Sequence, residues 1–347
     1  MHESTLAHEI HEQPAAIERL LAAEAGAVAD LARTLAQQQI RGVLIAARGT
    51  SDNAARYAQY LFGTALGLPV ALAAPSLHTL YHAPMRYEHM LVIGISQSGQ
   101  SPDICAVVAD ARSHGSPTLA ITNIATSPLA AAAAHTIELH AGVERSIAAT
   151  KTYTTQLAAL ALLVLSLAED TAGLAELQRI PAAVAATLAL DAQVAEVAAA
   201  EAGMLAGVTL GRGYNYATAW EIALKLKELT YVPIEAYSAA DFQHGPIALV
   251  REDFPILAVV PQGAAAADMQ ALVERLHGLG ARLIAISDRA EVLGLADHPL
   301  ALPQPVAERF SPLTTIVAGQ LFAMHLARAR GLDPDAPRGL RKVTETR

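Results

Sequence analysis

Several residue types that would indicate particular functions are scarce in this sequence of 347 residues. Cys105 is the single cysteine, which excludes an intrachain disulfide and a cysteine-cluster metal site. Aromatic residues make up only 4% of the chain, which argues against a base-stacking surface or an aromatic carbohydrate cleft. The 24 Lys and Arg residues against 33 Asp and Glu residues give a net charge of −9, so we expect no nucleic-acid partner.

Neither a membrane span nor an export signal is apparent in the sequence pattern. The longest apolar stretch, Leu157 to Ala168, is interrupted by Ser166 and falls short of the ~20 residues that a span requires. The start, His2-Glu3-Ser4, has no basic region followed by an apolar one. We therefore expect a cytoplasmic protein that does not contact membranes.

The chain is instead rich in hydrophobic residues and repeats itself. Hydrophobic residues reach 53% and the mean hydropathy is +0.31, so the chain can bury a sizeable core. At ~100–200 residues per domain, its length favours two domains. Landmarks recur after 164 residues (Arg48-Gly49 as Arg212-Gly213, Pro69 as Pro233, Gly99 as Gly263) or 165 residues (Gly115 as Gly280, Ile121 as Ile286).

We read these landmarks as a duplicated domain. The predicted segments are an N-terminal helical segment (1–34), a first domain (35–165), linking helices (166–199), a second domain (200–330) and a C-terminal tail (331–347) that closes the active site. Short apolar runs predict buried strands at Val43–Ala47, Leu91–Ile95, Thr118–Ile121, Ile256–Val260 and Arg282–Ile286. Helices are predicted at Ala54–Leu66, Asp103–His114, Leu157–Leu167 and Ala182–Ala200. This alternation predicts an α/β protein of two tandem three-layer αβα domains with parallel sheets.

Two polar loops follow predicted strands of the first half, where open parallel sheets bind their ligands. One is Gly49–Asn53, and the other is Ser96–Ser101, ahead of Pro102 as the first residue of a helix. Such loops offer backbone N–H groups, hydroxyl groups and a helix dipole to an anion. The alternative is that both are ordinary Ser/Thr helix caps. Because no GxxxxGK[ST] occurs and Gly211–Tyr216 lacks a third glycine, we set ATP and NAD aside and expect a small phosphorylated ligand without a cofactor.

The chain resembles the sugar isomerase (SIS) family over almost its entire length, and in particular the double-SIS members. Among these it is similar to the isomerase half of glucosamine-6-phosphate synthase and to the stand-alone SIS-type glucosamine-6-phosphate deaminases. The resemblance implies flavodoxin-like sheets and a homodimer with shared active sites. The segments that carry it are Glu12–Ile17, Gly49-Thr50-Ser51, Ser96-Gln97-Ser98-Gly99, Ala149-Thr150-Lys151, Ala223–Glu228, His244-Gly245-Pro246 and Pro337–Leu340.

The resemblance also implies a role for each matching residue. Glu228 would move a proton between C1 and C2 of the open-chain sugar, and His244 of the neighbouring subunit would help to open the ring. Lys342 would close over the sugar, while Lys225 and Glu144 would line the same pocket. The residues that would bind the sugar phosphate and neighbouring hydroxyls are Gly49, Thr50, Ser51, Ser96, Gln97, Ser98 and Ser101. One carboxylate facing both carbons can perform the proton transfer, and histidine suits ring opening near neutral pH.

Each of these side chains has a simpler interpretation. Glu221, Lys225 and Glu228 are spaced i, i+4 and i+7, a pattern typical of a solvated ion-pair face. His244 could be a turn residue and Lys342 a solvated tail charge. The pairs His8/His11 and His78/His82 could each share a helix face as metal ligands, although we expect no metal.

The sequence differs from the synthase pattern at several positions, and these differences favour the stand-alone deaminases. Because the family pattern begins almost at residue 1, we expect no glutaminase activity, and therefore deamination of glucosamine 6-phosphate to fructose 6-phosphate and ammonia. This chain has Arg48 where the synthases have cysteine, Gln100-Ser101 where they have Glu-Thr, and Ala149 where they have serine. In addition, Arg145-Ser146 introduces a charge near the pocket. The alternatives are an ammonia-dependent synthase-like enzyme, a fructosamine-6-phosphate deglycase and a non-catalytic sugar-phosphate sensor.

Overall fold

The structure is a computed structural model that describes residues 4–342. Its described residues divide into two units. The first unit contains residues 15–144, 151–179 and 341–342, and the second contains residues 4–14, 145–150 and 180–340. Each unit contains one five-stranded sheet in which every pair of neighbouring strands is parallel. The predicted α/β fold of two tandem domains with parallel sheets is therefore confirmed.

The sheet of the first unit has the order β2-β1-β3-β4-β5. Its strands are β1 (Gly42–Ala46), β2 (Val70–Leu72), β3 (Met90–Ile95), β4 (Thr118–Thr122) and β5 (His135–Glu138). The central strands are buried on both faces, which explains their continuous apolar runs. Its helices are α2 (Gln13–Ala36), α3 (Thr50–Leu66), α4 (Ser76–Thr79), α5 (Pro102–Ser113), α6 (Pro128–Ala132), α7 (Lys151–Leu167) and α8 (Thr171–Leu177).

The sheet of the second unit has the order β7-β6-β8-β9-β10 and therefore repeats the topology of the first. Its strands are β6 (Gly207–Gly211), β7 (Ile234–Ser238), β8 (Pro255–Val260), β9 (Arg282–Ser287) and β10 (His298–Ala301). Its helices are α1 (Thr5–His11), α9 (Ile180–Leu188), α10 (Asp191–Ala200), α11 (Asn215–Thr230), α12 (Ala239–Gln243), α13 (Ala266–Gly278), α14 (Ala290–Leu293) and α15 (Ser311–Ala329). Both sheets reverse their winding between the first and third strands, the position at which open sheets bind ligands.

The predicted strands all occur, each within two residues of its predicted ends. The predicted helix 182–200 was wrong as a single element, because the chain leaves the helix at Ala189-Leu190 and continues as α10. Helix α7 begins at Lys151, six residues before the predicted start at Leu157. Its first turns carry Thr and Gln side chains that the apolar pattern does not mark, although all of them are buried.

An arginine–aspartate pair recurs in both units. In the first unit, Arg48 follows β1 and its Nη2 lies 2.9 Å from Oδ2 of Asp103, in the first turn of α5. In the second unit, Arg212 follows β6 and its Nη1 lies 3.2 Å from Oδ2 of Asp268, in the first turn of α13. Each pair joins the loop after the first strand of its sheet to the helix after the third strand. The duplication therefore extends to side-chain contacts at the edge where the parallel strands end.

Within residues 4–342, one helical segment, 308–329, is long and apolar enough to cross a membrane. The protein itself buries 94% of its most apolar window. Helix α15 packs against α9, α10 and α11 of the second unit, as expected of a core helix.

Gly99 should be required by both its backbone conformation and its surroundings. Its φ is +62°, and a Cβ atom there would overlap the Ser127 side chain. Gly115 has φ +79° with open space around the position of a Cβ, so it provides a matched control. Gly115→Ala should cost about 1–2 kcal/mol of unfolding free energy through backbone strain alone. Gly99→Ala should cost roughly 1–3 kcal/mol more through overpacking.

Urea unfolding of the two variants measures this difference directly. Equal losses would contradict the proposed contact between position 99 and Ser127.

Candidate active site

The loop after β1 is shorter than the sequence predicts. Gly49 has φ +53°, and the chain enters α3 at Thr50, so residues 50–53 form the first helical turn and not a loop. The turn forms because the N–H groups of Ser51 and Asn53 donate to the carbonyl groups of Arg48 and Gly49, at 3.1 and 3.2 Å. A left-handed glycine allows this abrupt entry at little steric cost. The predicted loop 49–53 was wrong in its extent, and its hydroxyl residues lie at the positive end of α3.

A partner on α7 orients the Ser51 hydroxyl group. Ser51 is buried, and its Oγ accepts a hydrogen bond from Nε2 of Gln156 at 3.0 Å. Because the Ser51 oxygen is the acceptor in this bond, its own hydrogen can be donated to a ligand. Burial raises the pKa of the neighbouring Asp52 carboxyl group, although Arg56 and Arg48 lower it. Sequence reasoning missed Gln156, which lies 105 residues from Ser51 in the chain.

Hydroxyl groups that act as acceptors stabilise the loop after β3. Oγ of Ser96 accepts from the N–H of Gly99 at 3.1 Å, and Oγ of Ser98 accepts from the N–H of Gln100 at 3.3 Å. The Gln97 carbonyl oxygen accepts from the main chain of Asn123 at 3.1 Å. Ser96 and Ser98 therefore keep their hydroxyl hydrogens for another acceptor. This arrangement suits an anion.

The ordinary-cap interpretation of the two loops is wrong. The N-cap of α3 is Gly49, which has no side chain, and the N-cap of α5 is Ser101, whose side chain makes no capping bond within the described residues. Pro102 is the first residue of α5, as predicted. The hydroxyl groups of both loops are therefore not used as caps.

Glu144 and Lys342 lie together in the first unit. The Glu144 side chain is fully buried, and its Oε2 accepts from Nζ of Lys342 at 2.9 Å and from Oγ1 of Thr152 at 2.7 Å. Its Oε1 accepts from the N–H of Thr152 at 3.1 Å. Glu144 therefore also provides an acceptor for one of the first N–H groups of α7, which have no acceptor within the helix. Lys342 is about one-quarter exposed. The solvated-tail interpretation of Lys342 is therefore wrong, since a buried carboxylate pairs with its ammonium group.

Helix α11 of the second unit carries a buried charge cluster. Nζ of Lys225 lies 2.6 Å from Oε2 of Glu228 and 3.4 Å from Oε1 of Glu221. The side chains of Lys225 and Glu221 are 1% and 0% exposed, whereas that of Glu228 is 23% exposed. The solvated-face interpretation is therefore wrong. Glu228 is the member of the cluster that remains accessible, and the buried ammonium group of Lys225 contacts its carboxylate.

His244 lies on a different element of the second unit from this cluster. It ends α12, where its N–H donates to the carbonyl group of Asp241 at 3.0 Å, and its side chain is exposed. Gly245 follows with φ +127°, and Pro246 begins a short 3₁₀ helix. No hydrogen bond or ion pair within residues 4–342 joins His244 to Lys225 or Glu228. The exposed imidazole remains accessible to a ligand or a second subunit.

The structure describes the surroundings of the two histidine pairs that we considered as alternative metal ligands. Between His8 and His11, the buried Glu9 accepts main-chain hydrogen bonds from Arg145 and Ser146, at 2.5 and 3.1 Å. The pair His78/His82 does not share a helix face, because α4 ends at Thr79. Within residues 4–342, no group of three His, Cys, Asp or Glu side chains could hold a metal ion.

The fold defines a class of protein: an α/β protein of two tandem domains, each with a parallel five-stranded sheet. The chain belongs to the SIS domain family, whose model matches residues 37–166 and 208–328. These two matches correspond to the two parallel sheets, so the chain contains two SIS repeats.

Individual relatives support the same conclusion. The chain is 35% identical to the glutamine–fructose-6-phosphate aminotransferase (isomerizing) of Thermococcus kodakarensis over 348 residues, which cover 96% of this chain and 56% of the relative. It thus spans about half the length of the curated relatives that it matches. It resembles the structure of a protein from Silicibacter pomeroyi assigned as a phosphosugar isomerase, with a TM-score of 0.88, 36% identity and coverage of 96% and 100% of the two chains.

A second solved structure covers the isomerase half of the longer enzyme. This is the C-terminal domain of glucosamine-fructose-6-phosphate aminotransferase from Francisella tularensis, with a TM-score of 0.85 and 29% identity. The match covers 97% of this chain and 99% of that domain.

Removing the buried ammonium group should destabilise the second unit. Lys225→Met leaves Glu221 and Glu228 without their cation, and the loss should be about 3–5 kcal/mol of unfolding free energy. Lys227→Met, two residues along the same helix and only half-buried, should cost far less. The double variant Glu221→Gln/Lys225→Met should recover part of the loss, because the fully buried Glu221 carboxylate is then no longer left without its cation.

Chemical denaturation of all three variants provides the comparison. Similar losses for Lys225→Met and Lys227→Met would show that the cluster contributes no more than a surface pair.

Proposed function

We propose that this chain interconverts aldose and ketose forms of an amino-sugar 6-phosphate, and that it deaminates glucosamine 6-phosphate to fructose 6-phosphate and ammonia. The observation that carries the proposal is the α11 cluster, in which buried Lys225 and Glu221 support an accessible carboxylate, Glu228. Such a carboxylate can take a proton from one carbon and return it to the next.

We assign phosphate binding to the loops after β1 and β3. Their hydroxyl groups are oriented by the acceptor bonds from Gln156, Gly99 and Gln100, so that the hydrogens remain available to an anion. The starts of α3 and α5 add their positive dipole ends. The proposed substrate-binding residues are those of the resemblance: Gly49, Thr50, Ser51, Ser96, Gln97, Ser98 and Ser101.

The proposed reaction consists of proton transfers and a hydrolysis. Glu228 takes the proton from C2 of the open-chain amino aldose while the C1 oxygen takes a proton from water, which gives an enolamine with a C1–C2 double bond. Glu228 then returns its proton to C1 while the C2 nitrogen releases a proton to water, which leaves a hydroxyl group on C1 and an imine at C2. Water adds to this imine and ammonia departs, giving the ketose. Lys225 is a positioning residue, since its ammonium group lies 2.6 Å from Glu228 and holds the carboxylate.

His244 and Lys342 complete the proposed set. We assign ring opening to His244, whose side chain is exposed, because histidine is the residue type best suited to acid–base catalysis near neutral pH. In the proposed homodimer it serves the active site of the partner subunit. Lys342 is assigned to the sugar, with Glu144 as the residue that positions its ammonium group at 2.9 Å.

Free ammonia is the proposed nitrogen product or donor. Glutamine hydrolysis in this chain would have to use Cys105, which lies on α5. Burial raises the pKa of the Cys105 thiol, with a further contribution from the Asp103 charge, so the reactive thiolate is disfavoured. The aminotransferase activity of the longer relatives is therefore not assigned to these 347 residues.

Ammonia release from a panel of sugar phosphates tests the substrate. The panel contains glucosamine 6-phosphate, its N-acetyl form, galactosamine 6-phosphate and fructosamine 6-phosphates. Release from glucosamine 6-phosphate is expected. Release from a fructosamine 6-phosphate alone would favour the deglycase, in which the exposed Arg145 could meet the amino-acid carboxylate. No release from any member would favour a sugar-phosphate sensor.

Glu228→Gln should lower turnover by about 10²–10⁴-fold, because it removes the general base, while phosphosugar binding should persist. Glu235→Gln, an exposed glutamate on β7, should leave both unchanged. Steady-state ammonia release and calorimetric titration with fructose 6-phosphate measure the two effects separately. Full turnover by Glu228→Gln would refute its assignment as the base.

Mixing two inactive variants tests the shared active site. Glu228→Gln and His244→Ala should each lack activity, whereas subunit exchange should restore some of it in hybrid dimers that contain one intact site. Native mass spectrometry with one labelled variant verifies exchange. Exchange without recovery would exclude a site built from Glu228 of one subunit and His244 of the other.

A further inference from the structure

The second unit repeats the loop architecture of the first without its hydroxyl side chains. Residues 261–265 join β8 to α13, as residues 96–101 join β3 to α5, and the later loop is one residue shorter. The arginine–aspartate pair recurs here as Arg212 and Asp268. The second unit therefore retains a loop and a helix start whose main-chain N–H groups lie where the strand order changes direction, between β6 and β8.

A carboxylate of the protein lies on this loop. Oε2 of Glu308 accepts from the N–H of Ala264 at 2.7 Å, and its Oε1 accepts from the N–H of Ala265 at 3.4 Å. The carboxyl group packs against Gly263, where any Cβ would overlap it. Its Oε1 also lies 3.6 Å from the position of a Cβ on Gly213, in the loop after β6. Glu308 thus contacts the loop after β8 and lies near the loop after β6, as an anion bound at this edge would.

The origin of Glu308 distinguishes it from a local helix cap. It precedes α15 and lies 44 residues from Ala264, whereas a capping side chain normally comes from the first turn or the residue before it. A second carboxylate, Asp288, accepts from the N–H of Gln262 at 2.7 Å. Three main-chain N–H groups of this five-residue loop therefore donate to carboxylates. These hydrogen bonds are charge-assisted, because the acceptors are anions.

We infer that residues 261–265 form an anion-binding site in the second unit, which the Glu308 carboxylate occupies, and that this loop binds a phosphate group when the side chain is removed. A phosphate and a carboxylate present the same feature to such a loop, namely negatively charged oxygens that accept from main-chain N–H groups. In the native protein, Glu308 excludes a phosphosugar from the second unit. The chain then binds phosphate through the loops of the first unit alone.

Glu308→Ala tests the inference with inorganic phosphate as the probe. In sodium chloride, the variant should unfold at a midpoint roughly 2–8 °C below the wild type, because the N–H groups lose their anion. Sodium phosphate at the same ionic strength should recover at least half of this difference. Calorimetric titration should find one more phosphate per chain than in the wild type. Glu291→Ala, at an exposed position on α14, should show neither effect.

Glu308→Gln provides the second variant. Its side chain keeps the shape but loses the charge, so the midpoint should fall in chloride without an additional phosphate site. An unchanged midpoint for Glu308→Gln would show that shape and not charge stabilises the loop, and would overturn the inference. The inference also fails if Glu308→Ala responds equally to phosphate and chloride, or if it gains no phosphate. None of these measurements depends on catalysis, so they stand whether or not the proposed reaction is correct.

Discussion

A buried ammonium group between two carboxylates is the constraint on which the proposed chemistry depends. Lys225 is enclosed within the second unit, and the desolvation of its charge is compensated because Glu221 and Glu228 both lie within 3.4 Å. Of the two carboxylates, only Glu228 reaches solvent. The cluster therefore holds one accessible carboxylate in a fixed direction beside a buried ammonium group. That combination is what a base moving a proton between adjacent carbons requires.

The sequence predicted the strands well because strands buried on both faces appear as continuous apolar runs. It misjudged the start of α3, since the left-handed conformation of Gly49 leaves no trace in a hydrophobicity pattern. It also could not tell a buried charge cluster from a solvated one, because the i, i+4, i+7 spacing is the same on either face of α11. The partner of Ser51 was missed because Gln156 lies 105 residues away and only the folded chain joins them.

Under the proposed assignments, one scaffold serves two purposes in the duplicated units. The first unit presents neutral hydroxyl groups at its sheet edge, which suit the proposed reversible anion site. The second unit places Glu308 on the corresponding loop, where its carboxylate accepts from two main-chain N–H groups. The same strand order and the same arginine–aspartate pair support both arrangements. The division of roles between the repeats therefore depends on a few side chains and not on a change of fold.

The pair Arg48–Asp103 also has a consequence for the thermodynamics of binding. It links the loop after β1 to the start of α5, which are 55 residues apart in the chain. This pair therefore orders the two segments that we propose to bind the phosphate relative to each other, and a ligand that bridges them would lose little of its binding free energy in immobilising the protein. A small phosphate ester, with few atoms to contribute contacts, benefits most from such preorganisation.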